Sequence, residues 1–361
     1  MPKFSKPLQS IRFFAAVLIF LHHWSARAYD PQLLACCSQV FFTFSSTVTF
    51  FFIASGWSLT YGYYEKFKNH TVNLKVYFQK RLLRLYPLHW IAFVITLAAF
   101  GDWPIKANNA ILTANFLLVH AFIPSPFYTL SVNAVSWFLS VLLFWYLVFP
   151  PIMHTLPKIE WWLRRYAVAL ILLFVAGLAV WSKTLLPSEQ TQYLLYFSPF
   201  TRLVDFLTGV LIYFATLKMQ RKVGMKRLNW TLVEAASIAL VVAAYGFSPS
   251  VPGNYLSDVY FIVPWALVIG VFTVSHGLFS QALSWKPFVR LGSVSYEFFL
   301  LHYAMLILVA VYLQRIVPMS SVQIGIIAFV ATVGLSFMTH HLLIKLNSIV
   351  LNPTAPIRRT G

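Results

Sequence analysis

The first apolar stretch of the chain carries two side chains, Arg12 and His23, whose types and spacing could do chemistry. Eleven residues make about three helical turns and ~16 Å of rise, so both would share one helix face without forming an ion pair. His22 would point about 100° away from that face. Ionisable groups are costly inside a membrane span, so His23 is a candidate for proton transfer. The alternative is an interfacial histidine, with Arg12 as an anchor at the membrane surface.

A basic motif contains Arg81 and Arg84, which are three residues apart and would share a helix face. Pro87 would then fall in the first turn of a membrane helix, where its missing N–H is tolerated. A close pair of arginines at a helix entrance suits a ligand that carries phosphate groups. The alternative is that the pair only marks the cytoplasmic side of the membrane.

Two further polar motifs interrupt apolar segments. Ser55 and Gly56 form a small pair, and such pairs mostly allow helix backbones to approach closely. Arg202 and Asp205 are again three residues apart. They could form a structural ion pair or bind a substrate, and the spacing favours neither interpretation.

The last polar motif begins at Ser295 and Tyr296 and continues with Glu297 and His302 in the same apolar segment. A carboxylate and an imidazole within one span are unusual. They could satisfy each other, or each could bond to a neighbouring helix.

The composition requires lipid rather than water as the main solvent. Hydrophobic residues make up 59% of the 361 residues and charged residues only 10%, whereas a soluble domain carries roughly a quarter charged residues. The formal charge of +18 does not indicate nucleic acid, because the basic residues lie in short loops between apolar runs. Cys36 and Cys37 are adjacent, which gives neither a disulfide framework nor a metal-ligand spacing. We therefore expect no metal site.

We predict an all-α integral membrane protein with ten transmembrane helices. Apolar runs near the ~20 residues that cross a bilayer recur along the whole chain. A shorter run of ~14 residues, 109–122, falls in the range of a re-entrant or interfacial segment. The predicted spans are 7–26, 38–62, 85–101, 135–156, 166–182, 199–217, 231–248, 257–275, 291–313 and 322–345.

The distribution of basic residues decides the topology. With ten spans and a cytoplasmic N-terminus, 22 of the 27 lysines and arginines lie inside and five lie outside. If 109–122 also crossed, 12 would lie inside and 15 outside. We therefore predict ten spans with both termini cytoplasmic.

We expect one transmembrane domain, residues 1–345, followed by a short basic cytoplasmic tail, 346–361. The first apolar segment and the lysines before it resemble a cleavable signal peptide, but the segment also carries Arg12 and His23. We therefore treat it as a retained span. Since the outer loops are short, any active site has to lie between helices, within membrane depth.

These motifs together resemble acyltransferase family 3, the ten-span bacterial O-acyltransferases of surface polysaccharides. The resemblance covers nearly the whole chain. Each motif alone is weak, but six in the family's order are specific. They are Leu8 with Arg12 and His23; Phe52-Ile53-Ala54-Ser55-Gly56; Arg81 and Arg84 with Tyr86-Pro87; Trp137-Phe138-Leu139 with Tyr146 and Pro150; Arg202, Asp205, Phe206 and Gly209; and Ser295-Tyr296-Glu297 with His302.

Two positions depart from the family's pattern. Gln9 stands where many members have aspartate. Leu142 stands five residues after the tryptophan, where many members carry glutamate. No role of that glutamate can be carried over to this chain.

The resemblance implies transfer of an acyl group, usually acetyl, from acyl-coenzyme A (acyl-CoA) to a sugar hydroxyl. The acceptor would be a surface polysaccharide such as lipopolysaccharide O-antigen or exopolysaccharide. The catalytic residues would be His23, as general base, and Arg12, which would help to hold the donor's phosphates; an acyl-histidine intermediate is the variant. Donor binding would fall to Arg81, Arg84, Ser55 and Gly56. Acceptor binding or a structural polar role would fall to Trp137, Arg202, Asp205, Tyr296, Glu297 and His302.

The same resemblance implies a location in the bacterial inner membrane. We expect no permanently bound cofactor, because acetyl-CoA or another acyl-CoA would be a co-substrate. The expected partners are acyl-CoA, a lipid-linked or polymeric saccharide and membrane lipids, and nucleic acid is not expected.

Two other classes of protein compete with this interpretation. A transporter or flippase of lipid-linked saccharides would also have many spans and a polar interior, with Arg12 and His23 along its pathway. Paired inverted repeats with broken helices would favour transport, and the sequence has none that is evident. A purely structural membrane protein would leave the buried charges unexplained.

Overall fold

In the computed structural model, every regular element among the described residues is helical. We label the long helices α1 Lys6–Ser25, α2 Val48–Lys68, α3 Leu74–Ala99, α4 Trp137–Thr155, α5 Pro199–Arg221, α6 Trp230–Phe247, α7 Ile262–Val274, α8 Ser295–Leu308 and α9 Ser321–Leu351. The structure describes residues 5–26, 38–99, 108–156, 184–221, 229–251, 259–274, 276–313 and 316–351, with five positions between 166 and 181.

Seven of the described helices are long and apolar enough to cross a membrane. They correspond to α2, α3, α4, α5, α6, α8 and α9. Helix α1 has 20 residues but is not among the seven, and α7 has only 13. The multi-pass character is therefore confirmed, whereas the count of ten spans stays a prediction. Most of the predicted span 166–182 and all residues after Leu351 lie outside the described part.

Helix α3 begins eleven residues before the predicted third span, at Leu74 rather than at 85. Pro87 therefore lies inside the helix, so its predicted place in the first turn is wrong. The reason is that Lys and Arg are good helix formers although they are not apolar, so hydropathy marks the lipid boundary and not the helix start. The actual start is marked by Asn73, whose side chain accepts a hydrogen bond from the Val76 N–H at 3.1 Å.

The predicted ninth span, 291–313, does not begin as one helix. Residues 291–293 belong to a short helix, Lys286–Ser293, and α8 begins only after a break at Val294. Gly292 lies against the backbone of Gln9 in α1, so any larger side chain at this position would collide with α1. Helix α9 continues to Leu351, which is beyond the predicted domain boundary at 345.

The segment after α3 forms an eight-residue helix, Asn109–Phe116, which at 1.5 Å per residue is too short to cross a bilayer. It is held against α3 by three side chains. His89 Nε2 lies 2.9 Å from the Asn115 carbonyl oxygen, Tyr86 donates to Leu117 O, and Trp90 donates to Phe116 O. A re-entrant or interfacial position is therefore compatible with its length.

Helix α1 packs against α8 and the short helix Lys286–Ser293. Its first turn is capped by Ser5, whose hydroxyl oxygen accepts a hydrogen bond from the Leu8 N–H at 3.2 Å. The same hydroxyl donates to the carbonyl of Phe272 in α7 at 2.7 Å, and Ser10 donates to Leu283 O at 2.6 Å. Helix α1, which carries Arg12 and His23, is thus fixed to its neighbours near its N-terminal end.

Candidate active site

A cavity of about 610 Å³ opens between α1, α2, α3, α4, α8 and α9. Four cations line it: Arg12, Lys80, Arg81 and Arg84. Among the described residues that line it, none is an aspartate or a glutamate. Its other lining residues are Gln9, Phe51, Ala54, Ser55, Ser58, Leu59, Gly62, Tyr63, Phe138, Leu142, Tyr146, Gly292, Ser293, Ser295, Tyr296, Phe299, His340 and Asn347.

Arg81 is held in a cage of three tyrosines. Its guanidinium carbon lies 5.1 Å from the ring centre of Tyr63, 5.6 Å from that of Tyr146 and 5.9 Å from that of Tyr77. Its Nη2 donates to the Tyr63 hydroxyl at 3.1 Å, while its Nε has no hydrogen-bond partner among the described residues. Stacking thus fixes the plane of the guanidinium and leaves donor capacity for a ligand.

Arg84 is more exposed, with 45% of its side chain accessible, and it lies over the ring of Tyr296 at 4.4 Å. Its Nη1 is 3.8 Å from the carboxylate of Glu297 in α8, which is fully buried. Glu297 in turn lies 2.9 Å from Nδ1 of His340 in α9. Glu297 and His302 therefore do not satisfy each other, and Glu297 instead connects α8 to α3 and α9.

Arg12 lines the same cavity, and its Nη2 donates a hydrogen bond to the hydroxyl of Ser58 in α2. Helix α1 is unbroken between Arg12 and His23, so the ideal rise of ~16 Å applies. We call the two ends of the bundle the arginine end, where Arg12, Arg81 and Arg84 lie, and the histidine end, where His22 and His23 lie. His23 does not line the cavity.

Three phenylalanines form the cavity wall on the side of α8: Phe51, Phe138 and Phe299. The rings of Phe51 and Phe138 lie 5.4 and 5.0 Å from that of Phe299, centre to centre. The carbonyl of Phe299 accepts a hydrogen bond from Nδ1 of His302 at 2.6 Å, and the His302 ring lies 5.3 Å from that of His23. One turn of α8 therefore links the cavity wall to a pair of histidines.

The small pair on α2 has two different environments. The hydroxyl of Ser55 faces the cavity and bonds to the Phe51 carbonyl of its own helix at 2.7 Å. Gly56 instead lies against Phe206 and Gly209, where α2 crosses α5, and it does not line the cavity. The packing interpretation of such a pair therefore describes Gly56.

Trp137 also lies away from the cavity lining. Its ring packs against Phe52, Tyr196 and Phe197 at centre distances of 5.8, 5.1 and 5.0 Å, and only 4% of the residue is exposed. These contacts place Trp137 in the aromatic core between α2, α4 and the segment before α5.

Arg202 and Asp205 form the ion pair that their spacing allows. Arg202 Nη1 lies 3.0 Å from Asp205 Oδ2 and donates to Thr49 Oγ1 at 3.1 Å, while its Nε donates to the Tyr196 carbonyl at 2.7 Å. Both residues are at most 3% exposed. A buried ion pair is tolerated only when further hydrogen bonds support it, as they do here.

Sequence reasoning missed His340 and Asn347, which line the cavity from α9. A signal for His340 was present, because this histidine falls within the predicted span 322–345 and ionisable groups inside a span are functional candidates. Asn347 fell in the predicted tail, because the hydropathy ends before the helix does.

The two departures from the family pattern, Gln9 and Leu142, both line this cavity. Both side chains are uncharged, so neither adds negative charge to the cavity. The Gln9 amide donates to the Val289 carbonyl at 3.3 Å, so it is tied to the helix that precedes α8. No group of three or more His, Cys, Asp or Glu side chains within the described ranges could hold a metal ion.

A helical bundle with several helices that are long and apolar enough to cross a membrane, and with a cation-lined cavity between them, is the architecture of a multi-pass membrane protein. The family model described as "Acyltransferase domain" matches residues 8–341, so the chain belongs to this family, acyltransferase family 3. It is an O-acyltransferase.

The chain is also similar to the acyltransferase MdmB of Streptomyces mycarofaciens. The two are 26% identical over 317 residues, which cover 82% of this chain and 77% of that protein. No solved structure matches this chain.

Proposed function

We propose that this O-acyltransferase lies in the bacterial inner membrane and moves an acyl group, in the simplest case acetyl, from acyl-CoA to a sugar hydroxyl of a surface polysaccharide. The proposed acceptor is a polysaccharide such as O-antigen or exopolysaccharide. The observation that carries the proposal is the cavity, which has four lining cations and no carboxylate among its described lining residues. Such a cavity favours a ligand with several negative charges.

The phosphates of the donor would bind at the arginine end. Arg81 is already oriented by its tyrosine cage, so little side-chain freedom is lost when a phosphate binds. Arg84 lies three residues further along the same helix face and is half exposed, so it can turn from Glu297 towards a phosphate. Arg12 adds positive charge from α1, and Lys80 adds it from α3.

The pantetheine arm of the donor would then run along α1 towards His23. The wall formed by Phe51, Phe138 and Phe299 is apolar, which suits an uncharged arm and a thioester better than a phosphate. We place the acceptor hydroxyl at the histidine end, so the donor and acceptor approach from opposite ends of α1. Arg202 and Asp205 stabilise the packing of α5 in this proposal and do not bind the sugar.

In the transfer itself, the acceptor hydroxyl oxygen attacks the thioester carbonyl carbon. The new C–O bond forms and the C–S bond breaks. His23 takes the hydroxyl proton as general base and returns it to the leaving thiolate, so the products are an ester and free CoA thiol.

The direct test combines donor binding with product analysis. Purified protein in lipid nanodiscs should bind CoA, and surface polysaccharide from cells with the protein should carry an added acyl mass that cells without it lack. Binding of CoA with an unmodified polysaccharide would exclude this acceptor class. Absence of CoA binding would exclude the donor. Saccharide uptake by vesicles without any gained acyl mass would instead support transport.

A further inference from the structure

His302 is the one histidine of α8, and it is completely buried beside His23. Its Nδ1 lies 2.6 Å from the carbonyl oxygen of Phe299. A carbonyl oxygen can only accept a hydrogen bond, so Nδ1 must carry the proton. In the neutral ring Nε2 is then an acceptor with a free lone pair.

No described atom donates a hydrogen bond to this Nε2, although the atom is buried. Among the described residues, the aromatic rings in contact with His302 are those of Phe20, His23, Phe298 and Phe299. Of these four rings, only His23 can offer an N–H. Buried acceptors in native proteins almost always have a donor, so a donor for Nε2 is expected from this side.

The geometry allows that donor to be His23. The two ring centres are 5.3 Å apart and the ring planes differ by 37°. Each ring nitrogen lies about 1 Å from its centre, so facing nitrogens at this separation come within the ~3 Å of an N–H···N bond. The ring of Tyr303 packs on His23 at a centre distance of 5.2 Å.

We propose that His302 is a positioning residue for His23. Its Nε2 accepts one N–H of His23, which fixes the His23 tautomer and aims the lone pair of the other ring nitrogen at the acceptor hydroxyl. The inference rests on the proposed function, since it assigns a partner to the proposed base. During transfer His302 stays neutral, and the hydroxyl proton travels only to His23 and then to the CoA thiolate. Orientation of a catalytic histidine by a second hydrogen-bonding group is a general device.

A set of variants in the full-length protein tests this role. His302→Leu introduces an apolar side chain of similar reach and removes the acceptor. His302→Gln can instead place an amide oxygen near the former position of Nε2. With acetyl-CoA as donor and the extracted surface polysaccharide of the producing cell as acceptor, we expect His302→Leu to lower kcat at least tenfold. The KM for acetyl-CoA should stay within twofold, and His302→Gln should recover part of kcat.

A double variant separates positioning from simple packing. Residues that act as a unit give non-additive losses, so His23→Ala with His302→Leu should be no slower than His23→Ala alone. Equal kcat in the Leu and Gln variants at equal thermal stability would overturn the proposal. The proposal would also be overturned if kcat of the double variant fell by the product of the two single-variant losses. A slow His23→Ala enzyme with an unimpaired His302→Leu enzyme refutes only this pairing, whereas a fully active His23→Ala enzyme refutes the proposed function itself.

Discussion

Gly56 in α2 and Gly209 in α5 occupy the same helix crossing, and each lies directly against the backbone of the other helix. A Cβ on Gly56 would collide with the Phe206 carbonyl, and a Cβ on Gly209 would collide with the Ile53 carbonyl. The contact brings Thr49 within reach of Arg202. The same helix, α2, also lines the cavity through Ser55.

The first prediction follows from this crossing. Gly209→Ala should destabilise the protein by about 1–3 kcal/mol or more, because backbone atoms cannot move aside as a side chain can. The measurement is the Tm of purified protein in detergent. Gly334→Ala is the matched control: nothing lies within 4 Å of its added methyl group, and alanine is the better helix former. Similar Tm values for both variants would contradict the tight crossing.

The second prediction concerns topology. If the protein has ten spans and 109–122 does not cross the membrane, Pro126 lies on the external side and Arg165 on the cytoplasmic side. The 22-to-5 distribution of basic residues between the two sides depends on this arrangement. Reporter fusions at these two positions measure the side directly. An outside reading at Arg165 would exclude the ten-span arrangement.

The third prediction concerns the donor site. The double variant Arg81→Lys with Arg84→Lys keeps both positive charges but removes the planar guanidinium groups, including the one that Tyr63, Tyr77 and Tyr146 orient. We expect at least tenfold weaker CoA binding, which is about 1.4 kcal/mol, with normal membrane insertion. Titration calorimetry measures the affinity.

Arg290→Lys is the control for this pair, because Arg290 lies over Phe337 and does not line the cavity. Its CoA affinity should equal that of the unchanged protein. If the double variant also binds CoA normally, Arg81 and Arg84 are only topology anchors.

The fourth prediction separates the two adjacent histidines. His23→Ala should reduce transfer by ~10²–10⁴, which is the usual contribution of a general base. His22→Ala should keep most of the activity, because the His22 Nδ1 lies 3.2 Å from the Phe41 carbonyl and its ring is directed away from the Arg12 face. Acylated polysaccharide at matched protein abundance is the measurement. Small and similar losses from both changes would indicate two interfacial histidines without a catalytic role.

The fifth prediction tests the charge of the cavity. Leu142→Glu would put a carboxylate into a cavity whose described lining has none, close to the anionic donor. Added negative charge should weaken CoA binding roughly tenfold, or about 1.4 kcal/mol. In Leu142→Gln the new side chain has the shape of glutamate without its charge. This variant should bind CoA nearly as well as the unchanged protein. Equal affinities for the Glu and Gln variants would mean that the cavity does not hold the phosphates.

The sequence predicted the helical, multi-pass class of fold, because that class depends on local composition. Apolar runs mark membrane helices wherever they fall, and i, i+3 spacing allowed the Arg202–Asp205 ion pair that the structure contains, although it did not decide between pairing and substrate binding. The predicted start of α3 was wrong, because Lys75 and Lys80 belong to the helix although they are not apolar. Helix boundaries and lipid boundaries are different quantities, and hydropathy reports only the second.

Contacts between distant segments were beyond the reach of pattern reasoning. The tyrosine cage of Arg81 draws on α2, α3 and α4, so no local spacing indicates it. The same holds for His340, which meets Glu297 only because α9 packs against α8. Such relationships depend on which helices are neighbours, and one sequence does not specify that order.

Gln9 and Leu142 come from helices far apart in the chain, yet they face one cavity. A charge introduced at either position would alter the same electrostatic potential, so we expect the two positions to change together among relatives. Relatives with an acid at position 9 should therefore tend to have one at position 142 as well, and relatives that lose one should tend to lose both. The pair would then divide the family into two inherited lineages, each with its own balance of charge around the donor.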